Sequence, residues 1–161
     1  NPEQLGTDIV SNAAAALTLA KAPLVILDMG TATTVTVVDE NNAILGIIII
    51  PGLQTSMHAL CASAAQLGDI PLDGKPELIG RDTRASISSG VLNGSALMLD
   101  GFVRNIREAL DTKARGTSLS LLATGGSFPA VEPLLRNKFA YSDTLTLLGE
   151  AVLYAQNCKI V

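Results

Sequence analysis

The sequence is poor in aromatic, cysteine and histidine residues. Of its 161 residues only 3% are aromatic, none is tryptophan, two are cysteine and one is histidine. Cys61 and Cys158 lie far apart and form no Cys-x-x-Cys pair, and His58 stands alone, which argues against a structural zinc site. Unpaired cysteines of this kind are typical of reduced thiols in the cytoplasm, where we expect the protein to reside.

Long apolar runs and clusters of basic residues are also missing. No apolar run approaches the roughly 20 residues that a membrane-spanning helix needs, and the first residues lack the basic and apolar regions of a signal peptide. The net charge is −4, and the 11 lysines and arginines are scattered along the chain. We therefore expect neither membrane insertion nor nucleic-acid binding.

Apolar residues are abundant, at 48% of the sequence. At this length they predict one domain, and runs such as "GIIIIPG" predict strands buried on both faces of an α/β sheet, with this run as a central strand. The local patterns predict the following elements in order: a helix over 8–20, strands over 24–28, 34–38 and 44–50, helices over 53–67 and 83–110, a strand over 119–123, a helix over 127–135, a short strand near 141 and a helix over 147–157.

This order has three meandering strands followed by alternating helices and strands. It is the plan of a single actin-like ATPase domain, also called ribonuclease H-like, and we expect residues 1–161 to form one such α/β domain. Asp8 and Thr83 are placed to cap the first and third helices. The third helix contains Gly90, Gly94 and Gly101, each costing about 1 kcal/mol relative to alanine, which suggests that another backbone packs close by.

The first candidate site is the hairpin that begins with strand 24–28. Asp28 ends this strand and is followed by Gly30, Thr31 and Thr33. A glycine admits a close ligand, threonine hydroxyls and turn N–H groups bind phosphate oxygens, and a carboxylate holds a hard cation such as Mg²⁺ or K⁺. An ordinary threonine-rich turn with Asp28 as a turn acid explains the same pattern, so both interpretations stay open.

The second candidate site is the glycine pair Gly125-Gly126, between a predicted strand and a predicted helix. Glycines at this point let the base or ribose of a nucleotide lie against the backbone near a helix N-terminus. A glycine pair is also common in plain turns. Its position, one strand and two helices after the hairpin, is what an actin-like nucleotide cleft requires.

Several stretches in the same order resemble the C-terminal half of type III pantothenate kinases, members of the acetate kinase, sugar kinase, Hsp70 and actin superfamily. "GTDIVSNAAAA" resembles the family's Gly-x-Asp-Arg segment, and "DMGTATTVTVVD" resembles its Asp-x-Gly-Thr-Ala-x-Thr phosphate motif. "GIIIIPGL", "IGRDTRASISSGVLNG", "LLATGGS" and "DTLTLLGEAVLYAQN" resemble four further family segments. The resemblance runs nearly from end to end.

The resemblance implies ATP-dependent phosphorylation of pantothenate, the first step towards coenzyme A, with Mg²⁺ and a monovalent cation, K⁺ or NH₄⁺. By position it implies that Asp8 is the proton acceptor; from the sequence alone, without the resemblance, a plain helix cap explains Asp8 better. It also implies that Asp28 binds the monovalent cation. The remaining implied contacts are Gly6, Thr7, Asp8, Ile9 and Thr83 for pantothenate, and Gly30, Thr31, Thr33, Gly125 and Gly126 for ATP.

The sequence departs from the family pattern in places. Ile9 stands where the family has a substrate-binding arginine, and Ile47 replaces a glycine. The family's N-terminal domain, with its first phosphate loop, has no counterpart in this chain, so we expect the chain alone to be inactive. Two other interpretations remain: a non-catalytic regulatory or accessory homologue that keeps the fold and dimer, and an actin-like assembly module.

The long third helix predicts a homodimer. Its apolar residues form two stripes, so the helix must be covered on two sides. We expect one cover to be its own sheet and the other to be the same helix of a second subunit, which Gly90 and Gly94 allow to approach closely. Thr83 would then serve the neighbouring subunit's substrate site. The two stripes are Ile87, Val91, Met98 and Phe102, and Leu92, Ala96, Leu99 and Val103.

Overall fold

The computed structural model describes residues 5–63, 70–112 and 116–158. The predicted order of helices and strands is confirmed, except that the end of the predicted helix 53–67 lies outside the described residues. The helices are α1 (Thr7–Leu19), α2 (Leu53–Ser63), α3 (Thr83–Ala109), α4 (Phe128–Val131) and α5 (Leu145–Asn157). The strands are β1 (Leu24–Met29), β2 (Ala32–Val38), β3 (Ile44–Pro51), β4 (Ser120–Thr124) and β5 (Ala140–Tyr141).

The strands form one five-stranded sheet in the order β3-β2-β1-β4-β5. β1, β2 and β3 are an antiparallel meander, whereas β4 runs parallel to β1 and β5 runs parallel to β4. This is the arrangement of an actin-like, ribonuclease H-like domain. The predicted fold class is therefore confirmed.

Helices cover both faces of the sheet at β1. Leu24 and Ile26 belong to a buried cluster with residues of α1 and with Leu145 of α5. The alternate residues Val25 and Leu27 belong to a second cluster with residues of α2, α3 and α4. Because side chains alternate along a strand, Asp28 lies on the same face as α1 and α5. Among the helices that the structure describes, none has the length and apolarity to cross a bilayer.

The run of isoleucines in β3 was predicted to be a central strand, and this is wrong. β3 lies at the edge of the sheet, and Leu45 and Ile49 expose 56% and 66% of their surfaces. A β-branched run favours a strand, but it does not specify how many strands pair with it.

Both predicted helix caps are displaced. Gly6, not Asp8, is the N-cap of α1, and Asp8 lies in the first turn, where its Oδ1 accepts a hydrogen bond from the Ile9 N–H. Asp82, not Thr83, caps α3 by accepting a hydrogen bond of 2.8 Å from the Ala85 N–H. Where several capping residue types stand together, the pattern locates a helix end only to within a residue or two.

The two predicted stripes of α3 mostly pack on their own domain. Leu92, Ala96, Leu99 and Val103 are buried, as is Val91, and Ile87 and Phe102 pack against the same core. The opposite face of the helix carries Gly90, Gly94, Leu97 and Gly101, and Leu97 is 54% exposed.

The described residues supply no backbone against these glycines. A Cβ built on Gly90, Gly94 or Gly101 would meet no atom within 4 Å. Because α3 turns its glycines away from its own sheet, the close backbone stays a prediction for a second subunit.

Candidate nucleotide and substrate site

The turn between β1 and β2 is held in place by the start of α2. The Thr31 carbonyl accepts hydrogen bonds from the Gly52 N–H, at 3.1 Å, and from the Thr55 hydroxyl, at 2.8 Å. Gly52 lies so close that a Cβ on it would overlap the carbonyl oxygens of Gly30 and Thr31. The turn is thus held by its contacts with Gly52 and Thr55, while Gly30 and Thr31 themselves are exposed.

The glycine turn after β4 lies directly beside the end of β1. Gly125 has a φ of +91°, and a Cβ on it would lie 2.6 Å from the backbone nitrogen of Met29. Only glycine combines that backbone conformation with so close an approach. The Ser127 N–H also donates a hydrogen bond of 3.1 Å to the Met29 carbonyl. The two turns singled out in the sequence therefore meet at one end of the sheet.

Between the two turns lies an open cleft of about 400 Å³. One wall contains Gly30 and Thr31, and the facing wall contains Gly126 and Ser127. The exposed residues of the cleft are mostly polar or glycine, which suits a phosphate-bearing ligand better than an apolar one.

Three further residues line this cleft from α2, namely Gln54, Thr55 and His58. These three residues belong to none of the motifs described above. A signal was present, because Leu53 and Met57 are the buried residues of the same turns, which leaves polar neighbours on the opposite face. The pattern predicts a polar helix face, but it does not tell which cleft that face borders.

Thr33, a predicted ATP contact, is 2% exposed within β2 and is not among the residues that line the cleft. Gly125 does not line the cleft either. It lies against the backbone of Met29 and so positions the turn. Gly30, Thr31 and Gly126 are the predicted ATP contacts that the structure brings together in the cleft.

Asp28 is partly buried beside this end of the sheet. Its Oδ2 accepts a hydrogen bond of 2.8 Å from the Asn12 side-chain amide. Its Oδ1 faces the turn, since a Cβ built on Gly30 would lie 4.0 Å from that oxygen. Burial raises the pKa of Asp28, the Asn12 hydrogen bond opposes this, and the charge of Asp8 adds to the rise. The two carboxylates are therefore close enough to interact.

Asp8 is exposed in the first turn of α1, and its side chain bends back over Gly6, where a Cβ would overlap Asp8 Oδ1. Thr7 is exposed beside it, but the Ile9 side chain is only 8% exposed. Thr83 lies at the start of α3, on the other face of the sheet. Gly6, Thr7 and Asp8 thus form one surface, to which Thr83 of the same subunit does not belong.

The residues around Asp28 fit a weakly held cation. Asp28 is a partly buried carboxylate with the charge of Asp8 nearby, and oxygen ligands suit K⁺ or Mg²⁺. Within the described residues no group of three or more histidine, cysteine, aspartate or glutamate side chains could enclose a metal ion. A cation at Asp28 would therefore take its remaining ligands from water or from a bound phosphate.

The fold is that of an actin-like domain, and the cleft is a candidate site for a phosphate-bearing ligand. A profile of the type III pantothenate kinase family matches residues 1–105. The chain belongs to this family.

Curated relatives agree with this assignment. The chain is 39% identical over 160 residues to a type III pantothenate kinase of Rubrobacter xylanophilus, covering 99% of the chain and 61% of the relative. It is 37% identical to one of Thermomicrobium roseum, covering 92% of the chain and 56% of the relative. The chain thus spans about three fifths of the length of these relatives.

Among solved structures, a conserved Baf family protein from Campylobacter jejuni is similar to this chain, with a TM-score of 0.61 and 22% identity. The match covers 96% of this chain and 66% of that protein. At this identity the likeness shows the shared fold.

Proposed function

We propose that this chain is the nucleotide- and substrate-binding half of an enzyme that phosphorylates pantothenate with ATP, the first step towards coenzyme A. The observation that carries the proposal is the meeting of the Gly30–Thr31 turn and the Gly125–Gly126 turn at one cleft, beside Asp28. Membership of the type III pantothenate kinase family supports it.

In this proposal the phosphates of ATP lie against the N–H groups of Gly30 and Thr31, and the adenosine lies along Gly125 and Gly126. Mg²⁺ accompanies the phosphates, and K⁺ or NH₄⁺ binds Asp28. The hydrogen bonds from Gly52 and Thr55 keep the Gly30–Thr31 turn, here called the phosphate turn, in one conformation. Little ordering is therefore needed when the nucleotide binds.

Pantothenate would lie over Gly6, Thr7 and Asp8, with the Asp8 carboxylate accepting the proton of the hydroxyl that attacks the γ-phosphate. Phosphoryl transfer needs alignment and charge stabilisation more than a strong base, so an exposed aspartate is sufficient. Because the Ile9 side chain is buried, we propose that this residue contacts substrate only through its backbone.

Ile9 also keeps a second candidate function open, that of a non-catalytic homologue with a regulatory role. An isoleucine cannot pair with the carboxylate of pantothenate as an arginine would. A measurement of activity separates the two functions.

We predict that the complete protein phosphorylates pantothenate with ATP, whereas the 161-residue chain alone does not. The relatives are longer than this chain, and we propose that the remaining part supplies the other phosphate-binding loop. Losing such preorganised donors typically costs about 3–4 kcal/mol of transition-state stabilisation for each donor. Phosphopantothenate formation, followed with radiolabelled pantothenate, is the measurement.

The control for this measurement is Asp8→Asn in the complete protein, which should lower turnover by about 10²–10⁴-fold. Activity in the isolated chain would show that no second domain is needed. A complete protein that binds ATP but leaves pantothenate unchanged would instead favour the non-catalytic homologue.

We further propose a homodimer that uses the glycine face of α3, defined by Gly90, Gly94, Leu97 and Gly101. This face lies opposite the buried stripe, and its open glycines let a second helix approach closely. A homodimer of this kind uses the same patch on both subunits. It would also bring Thr83 to the partner's substrate site.

Gly94→Leu is predicted to shift this dimer towards monomer, because a leucine side chain overpacks the close helix contact. Sedimentation velocity at low micromolar concentration measures the change. Ala109→Leu, an exposed position near the end of the same helix, is the control and should stay dimeric. A dimeric Gly94→Leu variant, or a parent that is already monomeric, would exclude this interface.

A further inference from the structure

Asn12 is a buried polar side chain where α1, β1 and α5 meet. It is 3% exposed, and both ends of its amide are bound. Its Nδ2 donates a hydrogen bond of 2.8 Å to Asp28 Oδ2. Its Oδ1 accepts a hydrogen bond of 2.8 Å from the Thr146 hydroxyl. The Thr146 hydroxyl therefore holds the oxygen end of the amide whose nitrogen binds Asp28.

The close contact between α1 and α5 makes this arrangement possible. Gly149 of α5 is buried, and a Cβ on it would overlap the backbone of Ser11 in α1. Thr146 lies three residues before Gly149, on the same side of α5. The contact that brings the two helices together thus also brings the Thr146 hydroxyl to Asn12.

A carboxylate needs such a partner to adopt one orientation. Rotation about the terminal bond of aspartate is broad, so its two oxygens exchange places easily unless one is held. At Asp28 one oxygen is held by Asn12, and the other faces Gly30 of the phosphate turn. If the Asn12 amide were reversed, its oxygen would face the carboxylate and repel it.

We propose that Thr146 and Asn12 are positioning residues, which hold Asp28 so that its Oδ1 is directed at a cation beside the phosphate turn. This inference rests on the proposed cation site at Asp28. Thr146 belongs to α5 and lies outside the matched stretch of residues 1–105. It acts only through Asn12.

The test is Thr146→Val in the complete protein. Valine keeps the shape of threonine but removes the donor, so the buried Asn12 Oδ1 loses its partner and the amide is held through Asp28 alone. Calorimetric titration with a non-hydrolysable ATP analogue, repeated over a series of K⁺ concentrations, gives the K⁺ concentration for half-maximal nucleotide affinity. We expect that concentration to rise about tenfold, as is typical when a residue that orients a metal ligand is lost.

Thr146→Ser is the matched control, because it keeps the hydroxyl and should retain the parental K⁺ dependence. At saturating K⁺ the Thr146→Val variant should bind the nucleotide with parental affinity, which a protein that had lost its fold would not do. Thr146→Ala removes the hydroxyl in a smaller side chain and must give the same rise.

The outcomes separate this inference from the function on which it rests. If the parent depends on K⁺ and both Thr146→Val and Thr146→Ala keep that dependence unchanged, the positioning role is wrong and the cation site stands. If the parent itself binds the nucleotide equally well without K⁺, the cation site is wrong, and the inference falls with it.

Discussion

Asp28→Asn in the complete protein is expected to abolish the effect of K⁺ on nucleotide binding. The amide keeps the size of aspartate, and its oxygen can still accept the hydrogen bond from Asn12, but the negative charge is gone. Because loss of a residue that only orients a metal ligand already costs about 10–100-fold, we expect loss of the ligand to lower the apparent K⁺ affinity by more than about 100-fold. Nucleotide titrations with and without K⁺ measure this.

The same variant should fold at least as stably as the parent. Burial raises the pKa of Asp28 above its ordinary value of 3.8, so the folded state favours the protonated form. Its contribution to stability is therefore present at low pH and is lost as the pH rises through the raised pKa. At neutral pH the partly buried negative charge destabilises the folded state. Asparagine lacks this charge, so the melting temperature should not fall.

The matched control for this prediction is Asp39→Asn, in the turn between β2 and β3. The Asp39 carboxylate accepts hydrogen bonds from the N–H groups of Asn41 and Ala43, and the bond from Ala43 is the main cause that lowers its pKa. Its contribution is present at neutral pH and is lost as the pH falls through the lowered pKa. Asp39→Asn should therefore lower the melting temperature and leave the K⁺ dependence intact.

A collapse of stability in Asp28→Asn, with unchanged nucleotide affinity in the protein that still folds, would make Asp28 a structural turn acid. That is the ordinary-turn interpretation of the hairpin.

Gly149→Ala is expected to destabilise the domain by about 3 kcal/mol, the upper part of the range for overpacked interiors. The added methyl would overlap the Ser11 backbone, which cannot move aside as a side chain does. For a domain of this size the melting temperature should fall by about 10 °C. Thermal unfolding followed by circular dichroism measures the change.

Gly46→Ala provides the control for Gly149→Ala. Gly46 is exposed in β3, and a Cβ on it would meet nothing within 4 Å. Its effect should stay within about 0.5 kcal/mol. Equal effects of the two substitutions would mean that the α1–α5 contact is looser than the structure indicates.

The elements nearest the site were the most predictable from sequence. β1 and β2 have apolar runs, with Asp28 near the end of β1 and Gly30 in the turn between the strands. The two strands pair directly, so the hairpin and the position of Asp28 follow from local pattern. The second glycine turn was also found, because a glycine pair between a strand and a helix is a local signal. That the two turns adjoin depends on β4 pairing with β1, which the predicted fold class implied.

Other features depend on packing that no local pattern contains. The edge position of β3 and the direction of the α3 glycines are set by neighbouring elements. Asn12 looked like one polar residue in an alanine-rich helix, and Thr146 like one of several threonines near the last helix. Their hydrogen bond requires the close approach that Gly149 permits, and that approach is a property of two helices far apart in the chain.

The hydrogen bond between Asn12 and Thr146 joins residues 134 positions apart, which has a consequence for the order of folding. The β1–β2–β3 meander consists of local pairs that form early, whereas contacts of high sequence separation form slowly. During synthesis the residues of the Asp28 hairpin therefore leave the ribosome well before those of α5. In the proposed site the Asn12 amide therefore gains its Thr146 partner only after the last helix has been made.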